Sequence, residues 1–157
     1  MRVFVAGASG VIGVRLVPLL VAAGHEVAGL TRSPEKVETL RLLGALPIVC
    51  DVFDRKELRT AVGDFGADVI VSELTDLPDD RTQLQTYRSA NDRMRREGTR
   101  NLLAAAATTP RFLAQSGPGT FYESELPESP RVSVDEAAKT TADLLEAESG
   151  VVTIADA

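Results

Sequence analysis

Three glycines at three-residue intervals stand near the N-terminus, in the stretch VAGASGVIGVRLV. They lie between a short β-branched apolar run and a helix-like apolar segment. A glycine loop in this position permits a tight turn, lets backbone approach a pyrophosphate and points a helix N-terminus at its charge. The pattern therefore predicts dinucleotide binding, the alternative being that the glycines only allow close packing of a helix on a strand. The residues expected to form the binding loop are Gly7, Ala8, Ser9, Gly10, Val11, Ile12 and Gly13.

The end of the second apolar run bears on which dinucleotide is bound. An NAD site usually has an acidic residue there, which accepts a hydrogen bond from the ribose 2′-hydroxyl, whereas an NADP site needs a cation and hydroxyls. Thr31 occupies the acidic position, and Arg32 and Ser33 follow. We therefore expect Arg32 and Ser33 to bind a 2′-phosphate, so that NADP(H) is preferred over NAD(H). The alternatives are a solvated turn residue for Arg32 and a helix N-cap for Ser33.

Strand and helix patterns alternate up to Ser116 and predict the elements that position these side chains. Such alternation indicates an α/β fold, a doubly wound parallel sheet with helices on both faces. The long helix at 79–107 has a weak point at Gly98, and the alternation stops after the fifth strand. The expected strands are 2–6, 25–31, 46–50, 67–73 and 111–116, followed by a loop at 117–130 and a last strand at 151–155. The expected helices are 11–23, 33–44, a helix that begins at Asp54 and Glu57, the long helix 79–107, and a helix that begins at Ser133.

Composition excludes several classes of protein. The 157 residues suffice for one compact unit, and the net charge of −6 does not suit a nucleic-acid binder. One histidine and one cysteine argue against a transition-metal site and against an intrachain disulfide. No apolar run is long enough to span a bilayer, so we expect no membrane contact and a cytoplasmic location. A local cluster of Arg88, Arg93, Arg95, Arg96 and Arg100 is interpreted as a solvated helix face, partly neutralised by Asp92 and Glu97.

Five motifs together resemble a known family. They are GASGVIG at 7–13, TRS at 31–33, CDVFD at 50–54, EGTRNLLAAA at 97–106 and RFLAQS at 111–116. The chain resembles the atypical and extended short-chain dehydrogenase/reductases, particularly the NAD-dependent epimerase/dehydratase-like and NmrA-like groups. The resemblance implies a Rossmann-like NAD(P)-binding domain at 1–116, truncated or gapped after the fifth strand. It also implies that 117–157 is a remnant of the substrate-side region, packed on the same domain.

The resemblance further implies roles for particular residues. Asp51 and Val52 would lie against the adenine ring, and Ser116 would end the strand that carries the catalytic Ser/Thr region. In intact relatives dimers form through the long helix, so helix 79–107 is the expected homodimer interface. The implied function is an NADP(H)-preferring oxidoreductase acting on a carbonyl or sugar-like small molecule; the alternatives are an NmrA-like redox sensor without turnover and a non-catalytic cofactor-binding fragment. The residues implied beside the adenosine and ribose are Ser72, Leu74 and Thr75.

The catalytic Tyr-x-x-x-Lys motif of the family is absent. Tyr87 is followed at this interval by Asn91, and Tyr122 by Leu126. The expected place of the motif is between Ser116 and Gly117, where sequence usual in the family is missing. Three explanations stay open: a shortened protein, a fragment, or a sequence that omits a segment and joins its flanks. We favour the last as a hypothesis, because both flanks resemble undamaged family sequence.

Overall fold

The structure is a computed structural model that describes residues 1–76, 83–106, 109, 111–114 and 134–146. The predicted loop at 117–130 and the predicted strand at 151–155 lie outside these residues. In the described parts of the chain, no helix is long and apolar enough to cross a membrane. The strands are β1 (Arg2–Ala6), β2 (Glu26–Thr31), β3 (Leu46–Val49), β4 (Val69–Ser72) and β5 (Arg111–Ala114). The helices are α1 (Gly13–Ala22), α2 (Val37–Leu42), α3 (Arg55–Phe65), α4 (Leu84–Arg93), α5 (Thr99–Ala105) and α6 (Val134–Glu146).

The five strands form one parallel sheet in the order β3-β2-β1-β4-β5. The strand order reverses between β1 and β4, because the chain leaves β3 at one edge and returns on the other side of β1. In open α/β sheets, such a switch point forms a crevice at the carboxyl ends of the strands, where ligands bind. The predicted fold class is confirmed, and the glycine loop follows β1 directly at this crevice.

Alternation along the central strand sends its side chains to two separate cores. Val3 and Val5 pack in a cluster with the buried residues of α1 and α6, whereas Phe4 and Ala6 pack with those of α3 and α5. All four side chains are fully buried. A strand covered on both faces must be apolar at every position, and this explains why residues 3–6 all have apolar side chains.

Most element ends follow from local chemistry, with one exception in the long helix. The carboxylate of Asp54 accepts from the backbone N–H groups of Lys56 and Glu57 at 3.1 and 3.0 Å, so the predicted N-cap of α3 is confirmed. The predicted helix at 79–107 is divided instead, because a π-helical turn, Met94–Gly98, separates α4 from α5. Gly98 is buried at the end of that turn, where a Cβ would lie 3.2–3.3 Å from Met94, Leu74 and Val52.

Helix α6 packs on α1, on the face of the sheet opposite α3 and α5. Ala137 and Ala138 on α6 are buried in the same cluster as Leu16 and Val17 of α1. At the C-terminal end of α6, the guanidinium of Arg111 donates to the carbonyls of Leu145 and Leu144 at 2.9 and 3.1 Å. A strand residue thus satisfies carbonyl groups that the end of a helix leaves without intrahelical partners.

Candidate dinucleotide site

The first and last glycines of the loop are required by close backbone approach. Gly7 has φ +85, a conformation that side-chain-bearing residues rarely adopt, and a Cβ there would lie 2.5 Å from the carbonyl oxygen of Glu73. A Cβ on Gly13 would collide with the carbonyl groups of Gly7 and Ala8. The two glycines therefore let the loop lie against the end of β4 and let α1 begin directly beneath the loop.

The middle glycine lies on the accessible side of the loop. The Gly10 N–H donates to the Gly7 carbonyl at 2.9 Å and closes the turn. Within the described part of the chain, that same oxygen is the only heavy atom that a Cβ on Gly10 would meet within 4 Å, at 3.2 Å. No side chain of the described residues caps α1, and its first turn contains no acidic residue. Helix N–H groups without an acidic neighbour suit an anionic ligand, and a bare Gly10 lets that ligand approach the backbone. The loop residues present here fit the pyrophosphate of a dinucleotide.

Thr31 joins the glycine loop to the end of β2. It is buried, and its hydroxyl lies 3.0 Å from the hydroxyl of Ser9 and accepts from the backbone N–H of Ser33 at 3.2 Å. Ser33 occupies the N-cap position of the 3₁₀ turn that follows it, Pro34–Lys36, as one of the two alternatives predicted, but its side chain makes no capping hydrogen bond to that turn.

Arg32 projects from the same strand end and pairs with an acidic residue from across the crevice. Its side chain is 55% exposed, and its Nη2 lies 2.7 Å from Oδ1 of Asp76. The backbone N–H of Asp76 in turn donates to the side-chain oxygen of Asn91 on α4 at 3.0 Å, and this hydrogen bond fixes the segment that follows β4. Sequence reasoning missed Asp76. Its position four residues after β4 could have indicated it, since parallel strands bring their carboxyl ends to one edge of the sheet.

The residues implied for the adenine lie at the end of β3. Asp51 is exposed, and its carboxylate accepts from the backbone N–H of Phe53 at 2.9 Å. Val52 is buried, and its carbonyl accepts from the side-chain amide of Asn101 at 3.1 Å. Asn101 is itself buried in α5 and was not singled out from the sequence, although it stands inside one of the motifs that carry the family resemblance. Its amide fixes the backbone of the segment that follows β3.

The end of β4 carries the other implied residues. Ser72 is buried, Leu74 is half-buried and Thr75 is exposed. The backbone N–H of Glu73 donates to the carbonyl of Ala6 at 2.9 Å, so the ends of β1 and β4 stay paired beside the glycine loop. The structure thus brings the glycine loop, the end of β2 and the segment after β4 together around one crevice.

Glu73 is a buried acid beneath this crevice. It is only 7% exposed, and neither carboxylate oxygen has a hydrogen-bond partner among the described residues. Burial raises the pKa of Glu73 to about 7, and the nearby hydroxyl of Thr141 on α6 lowers it by a smaller amount. That hydroxyl donates to the carbonyl of Ala137 at 2.9 Å. Glu73 is therefore half-protonated near neutral pH.

Cys50 lies at the same edge of the sheet, since its backbone N–H donates to the carbonyl of Thr31 at 3.0 Å. Burial, reinforced by Glu57 and Asp54, raises the pKa of the Cys50 thiol to about 12, so Cys50 is the inert core residue that its strand predicts. Among the residues that the structure describes, no group of histidine, cysteine and acidic side chains could hold a metal ion. Ser116, the expected catalytic residue, and Tyr122 lie outside the described residues.

Comparison with known proteins shows that the chain belongs to an NAD(P)H-binding family. A family model described as NAD(P)H-binding matches residues 7–152, nearly the whole chain. A 3-diazoavenalumate denitrifying reductase from a Streptomyces species is 38% identical over 118 residues, which are 74% of this chain and 38% of the reductase. A 3-beta-hydroxysteroid dehydrogenase from Mycolicibacterium neoaurum is 32% identical over 104 residues, which are 66% of this chain and 28% of that enzyme.

Solved structures give the same fold. The UDP-glucose 4-epimerase of Thermus thermophilus, in complex with NAD, matches 92% of this chain and 49% of its own with a TM-score of 0.62 and 24% identity. The Bordetella bronchiseptica enzyme WbmG, in complex with NAD and UDP, matches 99% of this chain and 52% of its own with a TM-score of 0.61 and 22% identity. The chain spans less than half the length of the two curated relatives above, and about half of these two solved chains.

Proposed function

We propose that this chain is an NADP(H)-preferring oxidoreductase of the epimerase/dehydratase-like group. Two observations support the proposal. The chain belongs to the NAD(P)H-binding family, and an arginine rather than an acidic residue is exposed at the end of β2. The proposed substrate is a carbonyl or sugar-like small molecule. The nicotinamide, when bound, supplies the hydride acceptor or donor at C4. Reduction then also requires a proton for the carbonyl oxygen.

The observation that carries the cofactor preference is the side chain of Arg32. Its guanidinium is more than half exposed, and the strand end has a hydroxyl residue, Thr31, where a carboxylate would accept from an NAD ribose. A 2′-phosphate would compete with Asp76 for that guanidinium. Since a phosphate carries more charge than a carboxylate and presents more acceptor oxygens, the exchange favours the phosphate.

A fluorescence titration with NADPH and NADH tests this preference. We expect Arg32→Gln to weaken NADPH binding about tenfold and to leave NADH binding unchanged, since one charge-assisted contact to phosphate is lost. Arg41→Gln, which removes an exposed arginine paired with Glu38 on α2, is the matched control. Equal affinities for the two cofactors, or an equal loss of both in Arg32→Gln, would contradict the proposed preference.

The second candidate function is a redox sensor of the NmrA-like kind, which binds the dinucleotide without turnover. It is favoured by the sequence, in which no tyrosine precedes a lysine by four residues. Ser116 is then the remaining catalytic candidate of the oxidoreductase. Incubation of NADPH with a panel of aldehydes, ketones and nucleotide sugars separates the two functions: tight binding without oxidation of NADPH supports the sensor, whereas turnover lost in Ser116→Ala supports the enzyme.

A homodimer through the helical segment 79–107 belongs to the same proposal. Leu103, on α5, is 51% exposed and offers an apolar contact on this segment. Light scattering after size exclusion is expected to give a mass twice that of the chain, and Leu103→Glu is expected to give the single-chain mass. Leu42→Glu, which changes a more exposed leucine on α2, is the matched control. A wild-type protein that elutes with the single-chain mass at all concentrations would contradict the dimer.

A further inference from the structure

A cleft of about 300 Å³ opens between the start of α3 and the π-helical turn that joins α4 to α5. Three of its basic residues belong to the arginine cluster that the sequence suggested was a solvated helix face, and the fourth is the first residue of α3, on the other side. Four guanidinium groups and one carboxylate group thus line the cleft. The lining residues are Arg55, Arg93, Arg96, Glu97, Arg100 and Asn101.

The arginines of the cleft are only partly engaged by protein groups. The Nε of Arg93 donates to Glu97 at 2.8 Å, and the same guanidinium lies 4.0 Å from the centroid of the Phe53 ring. Among the described residues, the Nε of Arg96 donates only to the backbone carbonyl of Asp92, at 3.4 Å. Arg55 and Arg100 form no ion pair within the parts of the chain that the structure describes.

One carboxylate serves several of these cations at once. The hydrogen bond from Arg93 holds the pKa of Glu97 below its ordinary value, and the charges of Arg93, Arg100 and Arg55 lower it further. Arg55 on α3 and Arg100 on α5 thus line the same cleft as Glu97. The lining of the cleft has four arginines and one glutamate, and the Asp51 carboxylate also acts on Arg93, so positive charge is in excess there although the whole chain has a net charge of −6.

We propose that this cleft is a second anion site, which binds a small molecule through a phosphate group. Guanidinium groups present paired N–H donors whose spacing matches the oxygens of a phosphate, and several of them around one cleft give contacts from more than one side. The site is separate from the dinucleotide crevice, since neither the glycine loop nor the residues at the end of β2 line it. Asn101 connects the two sites, because it lines the cleft and its amide holds the carbonyl of Val52.

The test is a titration of the 157-residue chain with inorganic phosphate, at constant ionic strength in chloride and with saturating NADP+. Binding is followed through the arginine Nε–H signals in nitrogen-15 NMR spectra. The double variant R96Q/R100Q removes two cations of the cleft. The matched control is R59Q/R88Q, which removes two exposed arginines from α3 and α4, outside the cleft, for the same change in charge.

We expect saturable binding that weakens at least about tenfold in R96Q/R100Q and less than about twofold in R59Q/R88Q. Equal weakening in both double variants would overturn the proposal, because it would indicate a diffuse response to net charge. Absence of saturation in the wild-type chain would also overturn it. Loss of binding in Arg32→Gln, or phosphate binding that is seen only when NADP+ is left out, would assign the phosphate to the dinucleotide crevice instead. If R96Q/R100Q does not fold, R55Q removes the cation on the opposite helix and is expected to weaken binding in the same way.

Discussion

At the scale of single residues, the glycine loop separates two requirements that the sequence pattern combines. Gly7 and Gly13 contribute to stability, because side chains there would meet backbone carbonyl groups. Gly10 is instead expected to give the proposed dinucleotide access to the loop, since among the described residues a Cβ there would meet only the carbonyl oxygen of Gly7. The spacing of the glycines predicts the loop, whereas this division of roles depends on how closely the end of β4 approaches.

Gly7→Ala and Gly10→Ala should therefore fail in different ways. We expect Gly7→Ala to lose about 1–3 kcal/mol of unfolding free energy, because its φ of +85 and the contact with Glu73 are both unfavourable. Gly10→Ala should unfold like the wild type within about 0.5 kcal/mol while binding NADPH about tenfold more weakly. Urea unfolding and fluorescence titration measure the two quantities. Equal loss of stability in both variants would contradict the division.

The pairing of Arg32 with Asp76 makes a second residue important for cofactor choice. The Asp76 side chain is 17% exposed and its carboxylate lies 2.7 Å from the Arg32 guanidinium, so it would compete with the proposed 2′-phosphate and place a negative charge near it. Asp76→Asn removes that charge and keeps the backbone hydrogen bond to Asn91. We expect it to tighten NADPH binding by about three- to tenfold and to change NADH binding by less than about twofold. Weaker NADPH binding would instead show that Asp76 positions Arg32 for the ligand.

The buried Glu73 predicts a stability that depends on pH. Its pKa is raised from 4.5 to about 7, so both folded and unfolded chains hold the proton below pH 4.5, and both have lost it well above pH 7. Between these values the folded state binds more protons, and its stability falls as the pH rises. The total loss is about 3 kcal/mol at about 1.36 kcal/mol per pKa unit.

Glu73→Gln removes this ionisation. We expect the variant to match the wild type near pH 4.5 and to be more stable by about 3 kcal/mol at about pH 8, since an amide needs no deprotonation. Urea unfolding at both pH values measures the difference. Glu26→Gln, at an exposed carboxylate paired with Arg2, is the control and should show little pH dependence of its own. A difference between Glu73→Gln and the wild type that does not change with pH would contradict the raised pKa.

At the scale of elements, the docking of α6 rests on its C-terminal end more than on its surface ion pair. Arg111 donates to two carbonyls at that end and is partly buried, whereas the pair of Arg15 with Asp135 has exposed side chains, 41% and 82%. We expect Arg111→Gln to lower the unfolding free energy by about 1–3 kcal/mol and Arg15→Gln by less than about 1 kcal/mol. Urea unfolding of the two variants measures this order, and a larger loss in Arg15→Gln would contradict it.

The elements themselves could largely be predicted, because their signals are local. Alternating apolar residues, the Asp54 cap and the glycines at helix ends depend on neighbours in the chain, so the strands and most helix bounds agree to within a few residues. Gly98 predicted a weak point in the long helix, but the sequence did not predict that the interruption is a π-helical turn at Met94–Gly98. Its cause is tertiary, since Gly98 packs against Leu74 and Val52 from two other parts of the chain.

The position of the candidate site could be predicted from the sequence, but the long-range partners of its residues and the burial of Glu73 could not. The glycine loop and Arg32 are close in sequence to the strands that place them, whereas Asp76 and Asn101 act over 44 and 49 residues. A burial such as that of Glu73 depends on α6, which comes about 60 residues later in the chain. Long-range partners of this kind leave no periodic signal in the sequence.

At the scale of the whole molecule, the junction of Ser116 and Gly117 decides between the enzyme and the sensor. The hypothesis of an omitted segment predicts that protein made from the natural gene is heavier than 16.7 kDa and contains a Tyr-x-x-x-Lys peptide. Intact mass spectrometry with peptide mapping across residues 111–120 measures both. A mass of 16.7 kDa with a continuous Ser116–Gly117 peptide would contradict the hypothesis and would favour a binding protein without turnover.

The measurement that tests the central claim most directly is calorimetric titration of the chain with NADP+ and with NAD+, in parallel with Gly10→Ala. We expect saturable binding of one dinucleotide per chain, tighter for NADP+ by about tenfold, and weakened for both cofactors in Gly10→Ala because the variant blocks the shared pyrophosphate position. Absence of saturable binding for both cofactors, or binding that Gly10→Ala leaves unchanged, would contradict a dinucleotide site at the glycine loop.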